Sequence, residues 1–178
     1  MMMQMVRVLP MLFLLLLAGS VKADTQAVTV LGMTIGESTP QDVQNAFNGV
    51  NQSGVNRFSH GPMLSTNGDV GVRGVKETLF IFSQDERLVA VMMEMPKHRF
   101  DDIFDALAAG YVLENAQRPF VGDRSAEFRQ GDVSIQLNAP HLSFDMSLLY
   151  AKDAFLEQFR ETQRREQEAE QSRERGRL

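Results

Sequence analysis

The sequence predicts an α+β domain: an antiparallel sheet with helices packed on one face, followed by a charged C-terminal helix. Three observations predict it. Two apolar strands, 78–83 and 87–95, flank the polar turn Gln84-Asp85-Glu86 and lead directly into an amphipathic helix over 97–111. Val133, Ile135 and Leu137 alternate strictly with polar neighbours, as a strand with one dry face requires. Finally, the order helix-then-strands occurs at 39–95 and again at 97–150, which suggests two tandem repeats of one topology.

At the N-terminus, Arg7 precedes a mainly apolar run at 8–18 and then Val21-Lys22-Ala23. A run this short with small residues before the cut reads as a secretory signal peptide cleaved near Ala23, so the mature chain is expected to be periplasmic or secreted with no stable membrane anchor. The chain has no cysteine, which excludes disulfides, a thiolate metal site and a lipidated cysteine. Without Arg7 and Lys22, 16 basic residues face 23 acidic ones, a net charge of −7 that argues against nucleic acid as a partner. The expected organisation is a signal peptide at 1–23, a single α+β domain at 24–159 and a charged helical tail at 160–178.

Taken in order, the β-branched stretch 27–33 predicts a first strand. Thr39 suits an N-cap, Pro40 the first helical position and Asp42 the positive helix end, and Val43, Ala46, Phe47 and Val50 follow helical spacing over about three turns. Glycines punctuate the chain from Gly54 to Gly74, and Asn67-Gly68 predicts a tight turn between strands at 57–65 and 70–75. In the hairpin that follows, Leu79 and Ile81 oppose Phe80 and Phe82, and 88–95 is apolar on both parities apart from Glu94. Strands of that kind sit in the middle of a sheet covered on both sides, or covered on one side by a helix and on the other by a partner. The next helix aligns Phe100, Ile103, Phe104, Leu107 and Tyr111 in one stripe. Beyond a loop at 118–124, strands are predicted at 125–129, 132–138 and 142–150, the last with Leu142, Phe144, Met146 and Leu148 on its dry face. A final helix begins near Lys152, docks through Phe155, Leu156 and Phe159, and continues as a solvated helix without a coiled-coil seam.

The segment 31–43, Leu-Gly-Met-Thr-Ile-Gly-Glu-Ser-Thr-Pro-Gln-Asp-Val, is a strand passing through glycine to a capped helix. It resembles the entry motif of small bacterial envelope domains, both the outer-membrane assembly lipoproteins of the BamE/SmpA type and beta-lactamase-inhibitor-protein-like domains. The resemblance implies a non-catalytic protein-binding domain; the missing lipidation cysteine and disulfides depart from those families.

Catalytic signals are sparse. Gly-x-Ser-x-Gly is absent, no cysteine nucleophile exists, and Gly68, Gly71 and Gly74 match neither a P-loop nor a dinucleotide fingerprint. His98 with Asp101 and Asp102 has the spacing of a metal site, but acids in a first turn also suit the helix dipole; no metal or cofactor is assigned. His141, Ser143 and Asp145 share a strand parity and would form either a polar site or a solvated sheet face. On the strand Met92-Met93-Glu94-Met95, thioethers alternate faces and read as core rather than as a copper site. The loop Phe120-Val121, flanked by Arg118 and Arg124, either anchors to the core or forms a contact epitope. The expected function is that of a non-catalytic envelope accessory factor binding another envelope protein through the outer sheet face or the charged C-terminal helix, with Arg118, Phe120, Val121, Arg124, His141 and Asp145 as candidate surface residues. Alternatives are a carrier of a small apolar ligand held between helices and sheet, and a hydrolase built on His141, Asp145 and a serine.

Overall fold

The computed structural model describes residues 27–177, so the leader read at 1–23 lies outside the described residues. The chain begins with a small hairpin, β1 (Thr29–Val30) and β2 (Met33–Thr34). The strand expected at 27–33 is thus broken in two. Leu31 and Gly32 both take positive φ (54° and 76°), the backbone of a type I′ turn whose twist matches a hairpin.

Helix α1 (Pro40–Ala46) begins with the expected cap in reciprocal form. The Thr39 hydroxyl accepts the Asp42 N–H, and the Asp42 carboxylate accepts the Thr39 N–H at 2.8 Å. The helix is two turns long rather than three, because Phe47 turns to extended backbone; Val43 is buried, while Ala46 is exposed.

The first four strands of the main sheet are β3 (Asn51–Val55), β4 (His60–Thr66), β5 (Glu77–Ser83) and β6 (Leu88–Pro96). A single 3-10 turn (Lys97–Arg99) opens helix α2 (Phe100–Gly110). Four more strands follow: β7 (Val112–Gln117), β8 (Arg124–Gln130), β9 (Val133–Ala139) and β10 (Asp145–Lys152). The chain closes with the 23-residue helix α3 (Asp153–Arg175).

Two expectations fail in this region. The turn between the first two strands falls at 56–59, not at Asn67-Gly68, and 70–75 forms no strand. There the Asn56 side chain accepts the N–H groups of Phe58 and Ser59, an Asx turn that substitutes for glycine. Gly61 is required by close approach: a Cβ there would sit 2.1 Å from the Ser83 carbonyl oxygen.

The eight strands form one antiparallel sheet in the order β3-β4-β5-β6-β10-β9-β8-β7. Each half is a helix followed by a four-stranded meander, and the halves meet where β6 pairs with β10 at the centre. α1 and α2 cover one face, where Phe80, Phe82, Phe100, Phe128, Ile135 and Leu137 are fully buried in the principal core. Phe47 stacks on Phe80, and Phe104 packs on Phe128 at 5.4 Å between ring centroids.

The second face carries a smaller core. Ile81, Ala90 and Ala151, aligned across β5, β6 and β10, receive Phe155 and Leu156 from α3. Arg129 and Ser134 bind Asp153 and hold the first turn of α3 to the sheet. Farther along, Phe159 meets Phe58 edge-on and Glu166 pairs with Arg57 at 3.1 Å. The helix therefore crosses one end of this face and leaves the rest open. Met92, on central strand β6, is 40% exposed.

Candidate functional site

Two hairpin loops at one end of the sheet gather most of the expected surface residues: 118–123 between β7 and β8, and 140–144 between β9 and β10. Their proximity follows from the register, in which Arg124 at the start of β8 faces Ala139 at the end of β9. The Asp123 carboxylate accepts the His141 N–H at 2.7 Å and ties the loops together. From the start of α2, the Lys97 ammonium donates to the carbonyls of Pro140 and His141, and the Lys97 N–H donates to the Phe144 carbonyl at 2.8 Å.

Arg118 and Arg124 work as latches. Both guanidiniums donate to the Asp101 carboxylate in the first turn of α2, and they lie over the rings of Phe104 and Phe100 at 4.3 and 4.1 Å. The hydrogen bond from Arg124 is the main reason the Asp101 carboxyl titrates below its ordinary range; partial burial opposes that shift and Arg118 reinforces it. Asp102 faces Arg99. The helix acids with metal-like spacing to His98 are thus engaged by arginines.

With the arginines turned inward, the apolar residues of the loops are left outside. Phe120 is 105% exposed and Val121 68%, so this pair does not anchor the loop to the core. Across the Asp123–His141 link, Leu142 and Phe144 are 93% and 94% exposed. The expectation that these two line a dry strand face is overturned, since β10 starts only at Asp145. The reason is local: the Ser143 N–H bonds the Pro140 carbonyl, and the Ser143 hydroxyl accepts the Asp145 N–H, a turn that competes with the sheet ladder. Leu142 and Phe144 were missed as surface residues because their spacing imitates a strand, although Pro140 and the Ser-x-Asp sequence carry the turn signal.

The polar residues do not assemble into a catalytic unit. His141 is exposed on the loop, the Asp145 carboxylate is held by the Lys76 ammonium, and the Ser143 hydroxyl is engaged by backbone. No hydrogen bond joins the His141 imidazole to either side chain among the described residues. The shared strand parity read for His141, Ser143 and Asp145 does not exist, because the first two lie before the strand.

What the arrangement presents is an apolar tip on a braced support: Phe120, Leu142 and Phe144 at full or near-full exposure and Val121 mostly exposed, on loops cross-linked to each other and to α2. Elsewhere the helix–sheet interior is filled by the principal core, and a depression of about 620 Å³ beside β7, lined by Tyr111, Val112, Glu114 and Arg129, opens outward. No helix among the described residues is long and apolar enough to cross a membrane. Compared with family models, with curated proteins and with solved structures, the chain matches none.

Proposed function

We propose that this chain is an exported, non-catalytic accessory protein of the bacterial envelope that binds another envelope protein through its apolar loop tip. The observation that carries the reading is the full exposure of Phe120, Leu142 and Phe144 on loops held rigid by the Asp123–His141, Lys97–Pro140 and Asp101–arginine contacts. A braced apolar tip costs little conformational entropy on docking, and large aromatic side chains dominate binding energy when a partner desolvates them. Kinship with beta-lactamase-inhibitor-protein-like domains belongs to the same proposal, supported by the tandem order of helix and four strands.

Site-specific photocrosslinking in the native host tests the contact. A benzophenone amino acid at position 120 or 144 is expected to give a discrete adduct that the same probe at Gln52, exposed on β3, does not give. No adduct above the Gln52 control at either position would sink the reading. Export is tested separately: mass spectrometry of the osmotic-shock fraction should find an N-terminus at Asp24, and retention of the leader in the cytoplasmic fraction would refute it.

A further inference from the structure

The open part of the second sheet face has its own chemistry, separate from the loop tip. Beside the row that α3 covers runs a second row in direct cross-strand register, Leu79, Met92 and Leu149, in which the two leucines lean partly buried against the α3 cluster and Met92 stands outside it. Met92 is half-exposed at the centre of the eight-stranded antiparallel sheet, on a strand that is apolar at both parities apart from Glu94. One row farther on, Glu77 lies directly opposite Glu94, both exposed, with Ser147 beyond. Like charges directly opposite destabilise a sheet, and neither glutamate has an ion-pair partner among the described residues. Lys76, adjacent in sequence, is already taken by Asp145. A depression of about 200 Å³ lined by Met92, Glu94, Pro140, Ser143 and Asp145 continues the same strip.

We infer that this strip is the docking site for a cationic amphipathic helix of another protein, lying alongside α3. Spacing supports a helix. Same-face residues recur about every 7 Å along a strand, and packed helices lie about 8–10 Å apart. A helix beside α3 is therefore centred between the Leu79-Met92-Leu149 row and the Glu77-Glu94 pair. Its apolar stripe covers the first, and lysines or arginines on its flank neutralise the second. The far half of α3 does not fill the place, because Glu166 is drawn to Arg57 at the β3–β4 link.

The test uses the full chain and a fluorescein-labelled fourteen-residue helix of leucine and lysine, with a leucine–glutamate counterpart of identical apolar pattern. Fluorescence anisotropy is expected to show saturable binding of the lysine helix and at least tenfold weaker binding of the glutamate helix. Glu77→Gln with Glu94→Gln is expected to weaken the lysine helix about tenfold and to flatten its salt dependence, and Met92→Lys to weaken it further. Phe120→Ser with Phe144→Ser should bind as the parent does, which separates this site from the loop tip. The inference is overturned if the parent does not bind, if the double glutamine variant binds like the parent, or if the loop variant loses binding. A parent dimer in sedimentation that Met92→Lys dissociates would assign the face to a second copy and equally overturn it.

Discussion

The two faces of the sheet share every strand, yet they are finished differently. On one, two helices seal a continuous aromatic and aliphatic core; on the other, the first turns of α3 build a smaller cluster on Ile81, Ala90 and Ala151 and leave Met92 part-exposed. Apolar burial on the first face supplies most of what holds the fold. The second face thus carries less of the fold's stability, and the loop tip carries little for the same reason.

The sharpest way to break that comparison is Phe80→Ala. This ring is fully buried against Phe47, and its loss is expected to cost about 3–5 kcal/mol in denaturant unfolding. Met92→Ser should change stability by less than about 0.5 kcal/mol, and equal losses at the two positions would erase the distinction between the faces. Next in size, Leu156→Ala beneath α3 is expected to cost about 2 kcal/mol, at the low end for a leucine because the small cluster can relax. A loss as large as that of Phe80→Ala would mean that α3 belongs to the main core.

Acid titration sharpens the contrast further. Burial raises the Asp153 carboxyl, but hydrogen bonds from Ser134 and Arg129 outweigh it, so the folded value lies below the ordinary 3.8. The sign follows: this contribution is fully present above 3.8 and is lost as pH falls through the lower folded value. Asp153→Asn is expected to flatten that acid limb of the stability curve, measured between about pH 5 and pH 2. An unchanged limb would show that the tether of α3 carries no linkage. Among the tethers of α3 the smallest effect is that of Glu166→Ala, which removes an exposed pair with Arg57 and should cost under about 1 kcal/mol, less in high salt.

Much of the fold was legible because its signals are local. The hairpin of β5 and β6 announces itself by apolar parity, α1 by Thr39, Pro40 and Asp42, and α2 by its stripe from Phe100 to Tyr111. The edge strands were not legible. Every residue of Asn51–Val55 and of Val112–Gln117 is exposed, so neither segment needs an apolar alternation, and each exists only because its neighbour offers a ladder. At the loop tip the residues themselves are half legible: loop position and spacing single out Arg118, Phe120, Val121, Arg124, His141 and Asp145, but not which of them face inward. Arg118 and Arg124 turn toward Asp101, which lies far away in the chain order and has no sequence signature as their partner.

The sequence by itself determined the class of the fold, the helices α1 and α2, and the dry faces of the central strands such as β9, since these depend on side chains two to four positions apart. Tertiary structure alone decided where α3 lands, how far it reaches across the second face, and that Leu142 and Phe144 stand in water rather than in a strand. Exposure is a property of what lies opposite a residue. For Met92 and for the loop tip, what lies opposite is set by contacts such as Arg57 to Glu166 and Asp101 to Arg124, between residues whose spacing in the chain no local periodicity records.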